Sequence, residues 1–393
     1  MVGASPPVVT RYSQSGVEAV VLQRLDDWAS IRKDWDSLHR RCDRASSVLD
    51  YDWLSTWWAA YNAKDNPSGL RIVTVWRDKI LIGALPLYLS FERSSLISIR
   101  CLRFMSTGEA EFEETCADYL DILCESDEAA TCATSAWGAV EQLEWDRLEL
   151  LNMRRDSSLM SSRPESFRTK VFDRGVCPVA ILSGGFNSYL ERLSASRRQH
   201  FRRLLRAAKR TGLNLELATC ETLDAAFEDL IRLHQARWEA LGQPGVFSAP
   251  RFVGFHRQLI GILFPKGQVI LARLRWNGES IAVLYGFRVG DRFEFYQSGI
   301  SISRDSQIES PGNVAHLLLM EQLEQSGVAE YDFLRGRSSY KDRLATTMNE
   351  LVGIEAWRSS VRGVISRNAG SARDFARKVR YAFAPRDLHA PDR

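Results

Sequence analysis

The residue types best suited to chemistry fall in one stretch of the sequence, between Phe293 and Leu344. Asp332 ends an apolar segment there, and the pair Tyr340–Lys341 follows after a loop that contains glycine and arginine. A carboxylate in this place can orient an amine or alcohol nucleophile or take its proton. An ammonium can stabilise the oxyanion that forms at an attacked carbonyl, and a phenol can return a proton to a leaving thiolate. The stretch therefore indicates acyl transfer.

The same three residues also have purely structural interpretations. Asp332 can form a salt bridge with Arg335 or Arg337 that shapes the loop. Lys341 can be an ordinary solvated lysine, and Tyr340 can serve only in packing. The sequence leaves both interpretations open.

A helix start precedes these residues at Ser310-Pro311-Gly312-Asn313. Ser310 can supply a capping hydroxyl, proline suits the first turn, and Gly312 allows a ligand to approach the backbone. The predicted helix, Gly312–Gln325, would offer free N–H groups and the positive end of its dipole to an anion such as a pyrophosphate. We therefore predict that Ser310, Gly312 and Asn313 contact the phosphates of a cofactor.

A strongly basic segment, Ser194–Gly212, lies near the middle of the chain and has a narrow apolar stripe at helical spacing. Its other faces carry Arg198, Arg202, Arg206 and Lys209. These side chains can bind a diphosphate, a nucleotide-sugar, tRNA or an anionic lipid surface. A merely solvated charged face is the alternative, and the slight aromatic content does not indicate a platform for single-stranded nucleic acid.

Several enzyme classes are disfavoured because their signatures are absent. The sequence has no G-x-G-x-x-G, Walker A, G-x-S-x-G or H-E-x-x-H pattern. The six histidines have no ligand-like spacing to each other or to cysteine, so no metal site is predicted. Nucleotide hydrolysis, serine hydrolysis and metalloprotease chemistry are therefore disfavoured.

Composition indicates an ordinary globular protein with two cores. The chain has 393 residues, 45% of them hydrophobic, and a net charge of +3. Its seven cysteines are scattered and odd in number, which fits reduced thiols in the cytoplasm. The N-terminus lacks the apolar core of a secretion signal, and the longest apolar run, Ile80–Leu89, is too short for a membrane helix. A cytoplasmic location is predicted.

The elements that must position the candidate residues occur twice along the chain. Each half is predicted as strand, helix, helix and then a hairpin, with turns at Arg77-Asp78-Lys79 and Asn277-Gly278. The halves keep a nearly constant offset, because Leu25 corresponds to Leu223, Trp53 to Phe252 and Asp78 to Gly278, at 198, 199 and 200 residues. A duplicated α/β fold is therefore predicted.

These patterns divide the chain into five parts. We predict a disordered leader (1–16), a first domain (17–185), a basic linking helix (186–212), a second domain (213–360) and a basic tail (361–393).

The second half resembles the acetyltransferase domain of the CelD/BcsL family, a branch of the GNAT superfamily related to FemAB peptidoglycan aminoacyl ligases. The resemblance rests on SPG at Ser310–Gly312 and on YDFLRGRSSYK at Tyr331–Lys341. The first half contributes YDWLSTWW, ILIGALPL and ADYLDIL. The resemblance runs from about Val17 to Trp357 and implies tandem GNAT-like domains, each with a splayed mixed sheet flanked by helices.

The resemblance also implies where ligands would bind. Acyl-CoA would lie between the fourth and fifth strands of the second half, Arg292–Gly299 and Ala329–Leu334, with Gln297 or Ser298 near the acyl group. Arg237–Trp238 is similar to an arginine–tryptophan pair of the family and would wall the acceptor pocket, although Trp238 could instead be a core residue. The glycine-rich Q/R-x-x-G-x-G/A loop of GNAT proteins is absent before Gly312.

The sequence thus favours an acyltransferase that uses acyl-CoA (acetyl-CoA) as co-substrate, with no permanently bound cofactor. The acceptor would be a small molecule, a saccharide or a cell-envelope intermediate, attacked directly in a ternary complex. Two alternatives stay open: a FemAB-like ligase that uses aminoacyl-tRNA, and a non-catalytic scaffold of an exopolysaccharide-synthesis complex. The basic tail could make peripheral membrane contact, and the oligomeric state is not predicted.

Overall fold

The computed structural model describes residues 11–14, 16–62, 66, 69–94, 97–302, 308–360, 362–364 and 366–367. The chain forms two compact units. Unit 1 comprises residues 1–108, 116–174 and 351 onward, and unit 2 comprises residues 109–115 and 175–350.

Strands and helices alternate along both units. The strands are β1 (Arg11–Gln14), β2 (Val17–Leu22), β3 (Leu70–Arg77), β4 (Ile80–Ser94), β5 (Ile97–Phe104), β6 (Leu123–Cys124), β7 (Arg147–Arg154), β8 (Arg168–Ile181), β9 (Asn214–Leu217), β10 (Val269–Trp276), β11 (Glu279–Val289), β12 (Arg292–Ile300), β13 (Glu330–Asp332) and β14 (Thr347–Trp357). The helices are α1 (Leu25–Ser30), α2 (Arg32–Arg41), α3 (Tyr51–Tyr61), α4 (Ala129–Gln142), α5 (Ser158–Ser161), α6 (Phe186–Arg192), α7 (Ala195–Arg210), α8 (Leu223–Ala240), α9 (Pro250–Leu263), α10 (Pro311–Gln325) and α11 (Ser339–Leu344).

The sheet of unit 1 has the order β1-β2-β3-β4-β5-β7-β14, and β6 pairs with β4. Its neighbouring strands are antiparallel except for β5 and β7, which run parallel. Six fully buried tryptophans lie in its core, five on helices α1–α3 and one just before β7: Trp28, Trp35, Trp53, Trp57, Trp58 and Trp145. This aromatic burial dominates the stability of the unit.

The sheet of unit 2 has the order β9-β10-β11-β12-β13-β8. Again one internal pair, β12 and β13, is parallel and the others are antiparallel. The apolar faces of α7 and α10 join its core through Phe201, Leu204, Leu317 and Met320.

The two units share one topology, so the predicted duplication and the tandem, mixed α/β fold are confirmed. In both hairpins the turn residues have positive φ, 48° and 66° at Asp78 and Lys79, 50° and 84° at Asn277 and Gly278. The two hairpins also share an irregularity, because the register shifts after Val75 in β3 and after Leu274 in β10. Asp78 therefore corresponds to Asn277, one residue before the predicted partner Gly278.

Each unit is completed by a strand that the linear division assigned to the other half. Residues 351–357 of β14 pair with β7 in unit 1, and residues 179–181 of β8 pair with β13 in unit 2. The segment 109–115 likewise belongs to unit 2. The predicted boundaries, 17–185 and 213–360, therefore do not coincide with the compact units.

Three predicted segments differ from the structure or lie partly outside it. The predicted linking helix (186–212) is two helices, α6 and α7, joined at Leu193–Ser194 within unit 2. In the predicted leader, residues 11–14 form β1, paired with β2, while residues 1–10 and 15 lie outside the described residues. Most of the predicted tail (361–393) also lies outside them.

Candidate functional site

The parallel strands β12 and β13 diverge after three residue pairs. Arg292–Glu294 pairs with Glu330–Asp332, but β12 continues to Ile300 while the chain turns away at Leu334, where φ is 54°. Within the described chain, no strand pairs with the β13-facing edge of β12 beyond Glu294. Because peptide groups need hydrogen-bond partners, this edge can accept an extended amide-containing ligand.

Helix α10 begins beside the end of β12. A Cβ atom at Gly312 would lie 2.7 Å from Cδ1 of Ile300, so glycine lets the first turn approach the strand closely. The N–H groups of this turn have no intrahelical acceptor, and they carry the positive end of the helix dipole. This arrangement can accept an anionic group, and the phosphate contacts of Gly312 and Asn313 stay predictions.

The predicted capping role of Ser310 is wrong in its detail. Ser310 does occupy the position before α10, but its φ is 50°, in the left-handed region, and its hydroxyl makes no capping hydrogen bond. The helix start is therefore set by Pro311 and by the backbone turn rather than by a side-chain cap. Of the loop before it, residues 303–307 lie outside the described residues.

Two buried polar atoms on one face of α10 lack hydrogen-bond partners among the described residues. They are Oδ1 of Asn313 and Nε2 of His316, one helical turn apart, on side chains that are 5% and 1% exposed. A buried polar group without a partner costs about 1–3 kcal/mol, so such atoms call for an explanation. A bound ligand would supply the missing partners.

His316 lies in an aromatic cluster formed by α10, β12, β13 and α11. Its ring stacks on Tyr340 with centroids 5.5 Å apart and meets the edge of Phe295 at 4.6 Å. Nδ1 of His316 lies 2.7 Å from the hydroxyl of Tyr331. Burial, with a smaller effect of the Lys341 charge, lowers the pKa of His316 to about 3. The imidazole is therefore neutral. In the tautomer whose Nδ1 accepts from the Tyr331 hydroxyl, the ring hydrogen lies on Nε2.

Asp332 ends β13 and is fully buried. Its Oδ1 accepts a hydrogen bond from the backbone N–H of Leu334 at 2.7 Å, which stabilises the turn out of the strand. Arg337, one of the salt-bridge partners considered from the sequence, pairs with Asp342 at 3.0 Å instead.

Lys341 is half-buried rather than a solvated surface lysine. Its Nζ donates to the carbonyl oxygen of Phe333 at 2.7 Å and also contacts the carbonyl oxygens of Leu334 and Arg335, at 3.4 and 3.3 Å. Its charge thus lies under the loop that follows Asp332. The structure brings Asp332, Tyr340 and Lys341 to the same end of β13, and their catalytic roles stay predictions.

The other predicted site residues lie on separate elements. On β12, Oε1 of Gln297 accepts the N–H of Ser298 at 3.0 Å, so this side chain is held by its own strand. On α8, Trp238 is half-buried against the ring of His234, with centroids 5.9 Å apart, and Arg237 is exposed. Trp238 is therefore not a core residue.

On α7, Arg198 donates to the carbonyl oxygen of Glu191 at 3.4 Å, and Arg202 is exposed. The apolar stripe of this helix is buried in unit 2, which fixes the direction of its basic face.

A second buried network was not predicted at all. His256 lies 3.1 Å from the hydroxyls of both Tyr285 and Tyr296, and Tyr296 donates to the carbonyl oxygen of Thr115 at 2.7 Å. The network attaches the segment 109–115 to unit 2, aided by the ion pair of Arg251 with Glu113 at 3.2 Å. All its polar atoms have partners, so its role is structural.

The described residues contain no group of three metal-ligating side chains that could hold an ion. Among the helices of the described chain, none has the length and apolar character needed to cross a membrane.

Residues 195–342 match the model of an acetyltransferase (GNAT) domain. This match covers the point where β12 and β13 diverge, the start of α10 and the aromatic cluster around His316. It defines unit 2 as an acyltransferase domain of the GNAT type. The finer resemblance to the CelD/BcsL family stays a prediction. No curated protein matches the chain.

The chain is also similar to solved structures at low sequence identity. FemX is 10% identical with a TM-score of 0.56, over 82% of this chain and 95% of that one. L-PGS from Bacillus licheniformis is 11% identical with a TM-score of 0.45, over 84% and 97% of the two chains. A tandem GNAT protein from the clavulanic acid biosynthesis pathway is 11% identical with a TM-score of 0.42, over 88% and 99%. The likeness to FemX shows the shared fold.

Proposed function

We propose that unit 2 transfers an acyl group from acyl-CoA, such as acetyl-CoA, to an amine or hydroxyl of a saccharide or cell-envelope intermediate. The proposal rests on one observation: β12 diverges from β13 beside the amino end of α10. The free edge of β12 suits the amides of a pantetheine arm, and the first turn of α10 suits the pyrophosphate. The GNAT-domain match over residues 195–342 supports this assignment.

In this proposal Oδ1 of Asn313 and Nε2 of His316, the two buried atoms of α10 without partners among the described residues, complete the donor site. Nε2–H of His316 would donate to a carbonyl oxygen of the donor, and Oδ1 of Asn313 would accept from one of its amides. A neutral imidazole is suited to this role because its low pKa keeps it a hydrogen-bond donor that does not titrate. Binding would then remove the cost of two unpaired polar atoms.

The proposed chemistry is direct attack in a ternary complex. The acceptor nitrogen or oxygen forms a bond to the thioester carbonyl carbon while Asp332 takes its proton. The positive charge of Lys341 stabilises the resulting oxyanion, the carbon–sulfur bond then breaks, and Tyr340 gives a proton to the departing thiolate. Exchange with solvent returns the proton from Asp332 to Tyr340. Trp238 and Arg237 would border the acceptor.

Ligand-induced stabilisation tests the donor assignment. Thermal unfolding of the full chain is followed with acetyl-CoA, CoA and, as a control, 3′-AMP. We expect acetyl-CoA and CoA to raise the melting temperature in proportion to RT ln(1 + [L]/Kd), with little effect of 3′-AMP. No stabilisation by any CoA species at millimolar concentration would contradict the proposal.

The basic face of α7 favours a second candidate, transfer from an aminoacyl-tRNA. Arg202, Arg206, Lys209 and Arg210 are all exposed on this helix, which carries no acidic residue. Such a face would bind phosphates, and the affinity for tRNA would fall steeply as salt rises. Retention of tRNA at 50 mM but not 200 mM salt, without any CoA-dependent stabilisation, would favour this donor. Absence of both signals would favour the non-catalytic scaffold.

A reducing compartment, and hence the cytoplasm, is part of the same proposal. All seven cysteines are free thiols, and five of them are buried. Free buried thiols are typical of proteins kept in a reducing environment.

A further inference from the structure

The exposed face of α7 reaches the amino end of α10. Arg203 forms a bidentate ion pair with Glu309, with Nη1–Oε2 and Nη2–Oε1 distances of 2.8 and 2.7 Å. Glu309 comes two residues before Pro311, the first residue of α10. Because a planar guanidinium that binds both carboxylate oxygens is fixed in direction, the pair holds this part of α7 beside the helix start.

The packing of the two helices agrees with this position. Phe201 and Leu204 of α7 share the core of unit 2 with Val314 and Leu317 of α10. Burial of the apolar stripe leaves the opposite side of α7 in solvent. Since the exposed side chain of Arg203 lies on that side, the cationic side of α7 begins next to the first turn of α10.

Arg206 lies at the centre of this cationic side. Arg202 and Arg203 lie one turn before it, and Lys209 and Arg210 lie one turn after it. All five side chains are exposed, and α7 contains no acidic residue. Of the five, Arg203 is the one with a carboxylate partner among the described residues. Like charges at this spacing repel each other, so an anion bound among them would relieve that repulsion.

The first turn of α10 gives independent evidence for a ligand at this place. Oδ1 of Asn313 has no hydrogen-bond partner among the described residues, although the residue is only 5% exposed. The sequence before Gly312 also lacks the glycine-rich loop of GNAT proteins. Positive charge for the phosphates of the donor therefore has to come from side chains as well.

A ligand with a further phosphate close to its pyrophosphate fits this arrangement. CoA has such a phosphate on the 3′ oxygen of the ribose that follows the pyrophosphate. With the pyrophosphate at the first turn of α10, the 3′-phosphate is one sugar ring away, and an adjoining cationic helix face can reach it. Guanidinium groups suit this role because they bind phosphate through paired hydrogen bonds and stay charged.

We propose that Arg206, together with Arg202 and Arg203, binds the 3′-phosphate of the acyl-CoA donor. This recognition rests on the function proposed for unit 2, and it names the part of the donor that α7 contacts. It gives unit 2 a preference for esters of CoA over esters of 3′-dephospho-CoA.

Thermal unfolding of the full chain with two donors that differ in this one phosphate tests the proposal. The probes are acetyl-CoA and 3′-dephospho-acetyl-CoA, with inorganic phosphate as a third arm. We expect acetyl-CoA to bind about tenfold tighter than its dephospho analogue, and inorganic phosphate to cause no shift. Equal affinities for the two donors would overturn this inference and leave the donor assignment intact. No stabilisation by either donor would contradict the function proposed for unit 2, and this inference with it.

Variants locate the preference on α7. In the double variant Arg202→Gln/Arg206→Gln, the affinity for acetyl-CoA should fall about tenfold, to that of the dephospho analogue, whose own affinity should not change. A merely structural role would weaken both donors alike. Lys33→Gln/Arg40→Gln, which removes two exposed charges from α2, is the matched control and should keep the preference.

Two outcomes with the double variant would overturn the assignment. One is a preference for acetyl-CoA equal to that of the wild type. The other is loss of tRNA retention at low salt in a protein that responds to neither donor, which would assign this face of α7 to tRNA.

Discussion

The ammonium of Lys341 donates a hydrogen bond to the carbonyl oxygen of Phe333 at 2.7 Å. This contact joins α11 to the turn that leads the chain away from β12, next to the buried carboxylate of Asp332. The turn includes Leu334, whose φ of 54° is unfavourable for a leucine. Lys341 therefore helps to keep the two strands apart, whatever it contributes to the chemistry.

Replacing Lys341 is expected to affect both stability and turnover. Lys341→Met keeps most of the side-chain length but leaves three carbonyl oxygens without their charged donor, which costs about 2 kcal/mol. The melting temperature should fall by several degrees. At 10 °C, where the variant is folded, acyl transfer should still be reduced because the oxyanion loses its positive partner.

Lys33→Met, at an exposed position on α2, is the matched control for Lys341→Met and should change neither quantity. An unchanged melting temperature with lost turnover would assign Lys341 to chemistry alone. Loss of stability with full turnover at 10 °C would remove it from the catalytic group.

Asn313 offers a test in which stability and binding move in opposite directions. Asn313→Leu removes a buried unpaired oxygen from α10, so the ligand-free protein should gain about 1 kcal/mol. The same change should reduce the stabilisation by acetyl-CoA, because the proposed acceptor for a donor amide is lost. Differential scanning fluorimetry with and without acetyl-CoA measures both effects.

Gln322→Leu is the matched control for Asn313→Leu. Gln322 lies on the same helix and also has a buried amide oxygen without a hydrogen-bond partner among the described residues, but it is nine residues after Asn313, roughly 13 Å further along the helix. Its replacement should leave the response to acetyl-CoA intact. If Asn313→Leu responds to acetyl-CoA as fully as Gln322→Leu does, Asn313 is not part of the donor site.

The local features of the fold could be predicted from the sequence because short-range rules determine them. Asn277-Gly278 forms the expected hairpin since both residues adopt positive φ readily. The order of elements in each half followed from hydrophobic periodicity, and their repetition revealed the duplication.

The long-range features could not be predicted in the same way. Strand β14 (Thr347–Trp357) was not among the predicted elements, and its partner β7 lies about 200 residues earlier in the chain. The histidine at 316 stands in an apolar helical run and looks like a core position, so only its unpaired Nε2 marks it. Asp121 was noticed only as part of a resemblance, because its contact with Ser157, 36 residues later in the chain, leaves no pattern in the sequence.

Acid should destabilise unit 2 before its carboxylates titrate. Burial lowers the pKa of His256 and of His316 to about 3 and that of His234 to about 4. Since the unfolded chain takes up protons near pH 6.5 and the folded protein does not, stability is lost as pH falls below 6.5. Between pH 6 and 4.5 the three histidines contribute a slope of roughly 4 kcal/mol per pH unit.

Urea unfolding at several pH values measures this slope. His256→Gln should reduce the slope of stability against pH by about one third, whatever its effect on stability at pH 7. The reason is that one of the three histidines that take up a proton only on unfolding is removed. An unchanged slope in that variant would show that His256 is protonated in the folded protein and that its hydrogen bonds to Tyr285 and Tyr296 are rearranged.

Asp121 should show the opposite dependence on pH. Burial raises its pKa to about 6, so the folded protein binds a proton more tightly than the unfolded chain does. The free energy of unfolding therefore falls as pH rises from about 4 to 6, and the cost persists above pH 6. Ser157, Arg44 and the backbone of Ile122 reduce this cost and Asp156 adds to it, but burial dominates.

Asp121→Asn keeps the shape of the side chain and removes its charge. We expect the ligand-free variant to be more stable than the wild type by on the order of 2 kcal/mol at pH 8, with the difference vanishing near pH 4. Urea unfolding at both pH values, with Asp127→Asn at an exposed neighbouring position as control, measures it. A variant that is less stable than the wild type at pH 8 would mean that the charge of Asp121 is already compensated within unit 1.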